Sequence, residues 1–136
     1  MQEPIVTYRQ ASILKELGFD LKTKHYYNIL DETLYLAENE EMLPSDFNAT
    51  DIYISAPSIS LTLAWLRIEQ KMACGVFPAA SENKKNTIGY NWRYYMKDED
   101  DFSVCYESNT LNPFPNYQLA ESDLLSKVLE SLTKRN

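Results

Sequence analysis

The 136-residue chain is 44% hydrophobic and 12% aromatic, enough for the core of one folded unit, so residues 1–136 are expected to form a single domain. Thirteen Lys plus Arg against twenty Asp plus Glu leave a formal charge of -7, which repels a phosphate backbone and disfavours nucleic acid as a partner. The first residues lack an apolar run with a cleavage site, no apolar stretch has bilayer length, and two cysteines cannot build a disulfide scaffold, so a cytoplasmic protein without membrane contact is expected.

Taken in chain order, Thr7 with Gln10 three residues later has capping-box spacing, and Val6 and Ala11 occupy the staple positions around it. A first helix follows, with Ala11, Leu14 and Leu17 on one stripe and with Gly18 and Phe19 as a left-handed stop backed by an apolar contact. KHYYNIL and TLYLAE then read as a short hairpin around Asp31 and Glu32, although Asp-Glu is a poor two-residue turn. ENEEMLPSDFNATD, from Glu38 to Asp51, has no sustained period and reads as a loop. Pro57, between Ser55 and Ser58, suits the start of a main helix carrying Leu61, Ala64, Trp65, Ile68 and Met72 and ending near Cys74 and Gly75. CGVFPA, TIGYNWRYYM and FSVCYES predict a three-stranded antiparallel meander. A closing helix follows, with Ala120, Leu124, Leu125, Val128, Leu129 and Leu132 on one stripe and Glu121, Asp123, Lys127 and Glu130 on the remaining positions. The fold class is therefore α+β: an N-terminal helix and short hairpin, then a helix, the meander, and a C-terminal helix packed on the sheet.

Period-two alternation places Ile88, Tyr90, Trp92, Tyr94 and Met96 on one strand face, expected to be core, and Gly89, Asn91, Arg93 and Tyr95 on the other. Arg93 and Tyr95, together with Asp98, Glu99, Asp100 and Asp101 of the acidic turn, are left as surface binding candidates. Those four acids lack the alternation and the turn glycine of a calcium loop and are expected to solvate a hairpin turn. His25 is the sole histidine and cannot complete a usual zinc set with Cys74 and Cys105, which are expected to be buried thiols. No nucleophile elbow is present, and Gly18, Gly75 and Gly89 are too scattered to cradle a phosphate, so no catalytic residue, metal or cofactor is assigned. Helix, three strands, helix is also the element order of the double-stranded RNA-binding domain, and Lys84, Lys85, Arg93 and Lys97 are basic. The last helix nevertheless opens with Glu121 and Asp123 where that domain needs lysines.

VTYRQASILKELGFD, the pair Tyr26 and Tyr27, ISAPSISLTLAWLR and NYQLAESDLLSKVLESL together span nearly the whole chain. On those stretches it resembles a family of small uncharacterised proteins found in gut bacteria and their phages or other mobile elements. It departs from that family in continuing AWLR with IEQKMACG and in the SENKKN strand connection. The resemblance implies an α+β fold and an accessory role, such as one on a mobile element, and carries over no functional residue.

The expected function is a non-enzymatic protein-interaction module acting through an acidic surface, with another protein as partner and a homo-oligomer left open. The alternative is a small metal-dependent hydrolase using the carboxylates Asp98 to Asp101 with Tyr95 or His25. Convergence of those groups in a concave pocket would distinguish the two.

Overall fold

The computed structural model describes residues 3–37, 45–80, 88–97, 100, 103–108 and 112–135. Two compact units are present, Met1–Leu61 and Thr62–Arg135, and the division falls inside the second helix.

In the first unit, α1 (Tyr8–Glu16) begins at the expected capping box. Gln10 N–H donates to Thr7 Oγ1 at 3.2 Å, and Thr7 N–H donates back to Gln10 Oε1 at 2.9 Å. Its end is also as read from sequence. Gly18 adopts φ 92°, so Gly18 N–H reaches the Lys15 carbonyl and Phe19 N–H the Leu14 carbonyl, with Phe19 buried behind them. Ala11 and Leu14 face the core.

β1 (His25–Asn28) and β2 (Leu34–Leu36) form the expected hairpin, pairing Tyr26 with Tyr35. The turn runs over residues 29–33 and does not rest on Asp31-Glu32 alone. Asn28 and Asp31 side chains accept from Leu30 N–H and Thr33 N–H, and Glu32 takes the left-handed φ of 55°. A third strand, β3 (Tyr53–Ser55), lies antiparallel on the other side of β1 and gives the order β2-β1-β3. The sequence reading omitted it because only three residues of strand character stand between Asp51 and Pro57. Within the segment read as a loop, Phe47–Ala49 makes one 3-10 turn, and Phe47 packs on the Tyr26 ring with centroids 4.5 Å apart.

The outer edge of β3 is closed by side chains. Tyr53 N–H donates to Thr50 Oγ1, Lys15 Nζ donates to the Tyr53 carbonyl, and Ser55 N–H donates to Asn48 Oδ1.

α2 (Ile59–Glu69) starts where Ser58 Oγ accepts from Leu61 N–H. Its buried face differs from the expected stripe. Trp65 and Met72 are buried, but Ile68 is 72% exposed and Leu61 36%, while Thr62, Leu63 and Leu66 turn inward. Apolar residues surround this helix almost completely, so periodicity alone does not select its inward face. The helix also stops earlier than expected. Lys71 adopts φ 53°, and Cys74 and Gly75 already belong to the next strand.

In the second unit, β4 (Cys74–Ala80), β5 (Ile88–Lys97) and β6 (Ser103–Glu107) make the expected antiparallel meander, and α3 (Tyr117–Arg135) packs on β5 and β4. Trp92, Tyr94 and Met96 meet Ala120, Leu124, Leu125, Val128 and Leu129 in one buried layer. Glu121 departs from the expected polar face, being only 7% exposed. Alternation along β4 turns the missing N–H of Pro78 away from β5, so the proline costs no ladder bond and blunts the free edge. Arg67 Nε donates to the Cys74 carbonyl on the same edge at 2.8 Å. Among the described residues no helix is long and apolar enough to cross a membrane.

Candidate functional site

One face of the β4-β5-β6 sheet is covered by α3, which leaves the opposite face to be accounted for. Register places Gly75, Arg93 and Glu107 in one row across it and Tyr95 and Cys105 in the next. The β5 start of this face is closed. A Cβ on Gly89 would lie 2.6 Å from Pro113, so a side chain is excluded there, and Asn91 is buried with Ser108 Oγ donating to its Oδ1 at 3.1 Å. Toward the other end the face is open.

At that open end a hollow of about 310 Å³ lies between Phe77, Arg93 and Tyr95. Gly75 forms its floor, and a Cβ placed on Gly75 would meet nothing within 4 Å. Two of these side chains are held by neighbours. The Arg93 guanidinium carbon stands 5.0 Å from the centre of the Phe77 ring, and Arg93 Nε lies 2.9 Å from Glu107 Oε1. That second contact is ionic, since the Nε–H does not align with the carboxylate. Glu107 is the main cause of the upward shift of the Arg93 pKa from its already high ordinary value. Tyr95 is 40% exposed, a large amphipathic ring beside a fixed cation.

Of the residues singled out from sequence, Arg93 and Tyr95 are therefore brought together on one uncovered face. Asp100 is an exposed residue of the β5–β6 turn, and Asp98, Glu99 and Asp101 lie outside the described residues. His25 belongs to the first unit. Phe77 and Gly75 were missed by sequence reading, although the pairing of a β4 glycine with a β5 arginine becomes visible once the register is fixed.

The two cysteines sit on opposite faces of the sheet, Cys74 in register with Tyr94 and Cys105 with Tyr95. β5 separates their strands, so they do not pair. Cys105 is exposed, which corrects the expectation that both thiols are buried. Burial pushes the Cys74 thiol up, against a smaller opposing pull from Arg67. At the start of α3 Glu121 is buried, while Tyr117 and Leu119 are exposed. Among the described residues, no group of three or more His, Cys, Asp or Glu side chains converges in a way that could hold a metal ion.

No protein-family model, curated protein or solved structure matches the chain.

Proposed function

We propose that the chain is a non-enzymatic protein-interaction module whose contact surface is the open face of the second sheet. The observation that carries this reading is the shallow, open hollow over Gly75, bordered by Phe77, Arg93 and Tyr95. Tyrosine and arginine are among the residue types that dominate binding energy at protein interfaces, particularly when they frame a pocket. A volume of about 310 Å³ suits one large apolar or aromatic side chain of a partner, with the paired Arg93 and Glu107 forming a polar rim. The formal charge of -7 would steer basic partners toward the molecule, while the mixed face makes the contact.

The test is site-specific photo-crosslinking in cells that naturally express the chain. A benzophenone amino acid at Tyr95 is expected to capture a defined protein, and the adduct should disappear when Gly75→Leu fills the hollow. Lys127→Ala, on the exposed side of α3, should leave it intact. A Tyr95 probe that captures nothing, or an adduct indifferent to Gly75→Leu in a correctly folded variant, would remove the assignment.

A further inference from the structure

The sheet of the first unit has two outer edges, and they are treated differently. On β3 the outward groups of Tyr53 and the outward N–H of Ser55 are met by Thr50, Lys15 and Asn48. On β2 the alternation fixed by the Asn28 N–H to Thr33 carbonyl and Ala37 N–H to Lys24 carbonyl bonds turns the N–H and C=O of Leu34 and Leu36 away from β1. Among the described residues, no hydrogen-bond partner meets those groups. β2 has neither proline nor charge, and all three of its side chains are exposed. That is the opposite of the protection normally given to a sheet edge.

A second observation lies beside it. A cavity of about 380 Å³ opens next to Leu36 on the face shared by Leu36, His25 and Ala56. Its apolar lining comes from Ile5, Leu36, Pro57 and Leu61, while Lys22, Lys24, His25 and Glu3 contribute its polar groups, two lysines against one carboxylate. On a protein of formal charge -7 this is a locally basic rim, with Lys22 and Lys24 both exposed.

We infer that the outer edge of β2 and this cavity together receive an extended peptide segment of another protein, which adds as a fourth strand. Backbone bonds to Leu34 and Leu36 would supply affinity, and the cavity would supply specificity by taking one side chain of the added strand. The apolar lining selects an aliphatic residue, and the Lys22 and Lys24 rim selects a carboxylate on the peptide close to it. The inference concerns the first unit alone and stands or falls independently of the hollow over Gly75.

The experiment is selection of a random heptapeptide library displayed on phage against the full chain, followed by amide hydrogen exchange of the chain with the selected synthetic peptides. Enrichment of an aliphatic residue with Asp or Glu nearby is expected, together with new exchange protection at the Leu34 and Leu36 amides. Leu36→Pro removes an outward N–H but no bond to β1, so it should keep the fold and weaken peptide binding by tenfold or more. Lys22→Glu with Lys24→Glu should abolish the preference for acidic peptides while leaving the protected amides the same. Four results would overturn the inference: no enriched motif, a motif that is basic, binding unchanged by Leu36→Pro, or protection confined to residues outside β2. Concentration-dependent dimerisation abolished by Leu36→Pro would overturn it too, by making a second copy the occupant.

Discussion

Trp92 Nε1 donates to Asp123 Oδ2 at 2.7 Å, tying the central strand of the second sheet to the first turns of α3. The indole is buried and stacks on Tyr94, whose hydroxyl in turn meets Ser131 Oγ at 2.7 Å, so one strand is fastened to the helix at two points. Trp92→Ala should cost about 3 to 5 kcal/mol, as large aromatic truncations in cores do. Asp123→Ala should cost about 1 to 3 kcal/mol, because the indole N–H is left without its acceptor. Urea unfolding followed by circular dichroism measures both. A Trp92→Ala midpoint equal to that of the parent would mean that the strand is not anchored through this ring.

The buried face of α3 makes a second expectation. Leu125 has no exposed surface, so Leu125→Asp would place an unpaired charge in the middle of the layer and should unfold or severely destabilise the unit. Ser126→Asp, one position along and exposed, should change the melting temperature little. Equal behaviour of the two variants would show the helix to be rotated from the orientation described.

The difference between α3 and α2 explains how much of this fold was legible in the sequence. On α3 the leucines recur at helical spacing between charged residues, so one face is the apolar choice, and Ala120, Leu124, Leu125, Val128 and Leu129 are buried as their spacing predicts, while Glu121 is not on the polar face expected for it. On α2 Ile59, Leu61, Leu63, Leu66 and Ile68 surround the axis, and the inward choice of Thr62 over Ile68 depends on tertiary packing that no period encodes. β3 was invisible for a different reason, since a three-residue strand gains its identity from the partner β1. The candidate site was half legible. Strand alternation places Arg93 and Tyr95 on the outward face, but the hollow needs the cross-strand register that sets Gly75 against Arg93.

Two glycines of the same sheet should respond oppositely to one added methyl group. Gly89→Ala would drive Cβ into the Pro113 ring, and the resulting displacement should cost about 1 to 3 kcal/mol, as overpacking does. Gly75→Ala enters open space at a strand position without a positive φ, where exchanging glycine for alanine reduces the freedom of the unfolded chain and should stabilise by about 0.4 to 1 kcal/mol. Thermal melts of the two variants side by side give the sign of each effect. A tolerated Gly89→Ala would show that Pro113 does not press on β5.

Alkaline pH should destabilise the protein, and the sign follows from its tyrosines. Burial raises the Tyr26 phenol, with Tyr53 adding to the shift, and burial is also the first cause for Tyr27 and Tyr117. Tyr35 is raised chiefly by its hydrogen bond to the Asp31 carboxylate, 2.7 Å away. In each case the folded state holds its proton to higher pH than the unfolded chain does. Stability from these groups is therefore complete below the ordinary tyrosine value of about 10 and falls as pH rises through it toward the folded values. Urea midpoints at a series of pH values from about 8 to about 11 should be level at first and then decline. Cys74, raised by burial, should add a fall in the same direction that begins at lower pH, because a thiol ordinarily ionises below a phenol. Tyr26→Phe removes one ionising phenol from the buried cluster with Phe47 and Tyr53 and should make the decline shallower. Midpoints that rise with pH across this range, or a decline as steep in Tyr26→Phe as in the parent, would show that the buried ring at position 26 is not what couples folding to the phenol proton.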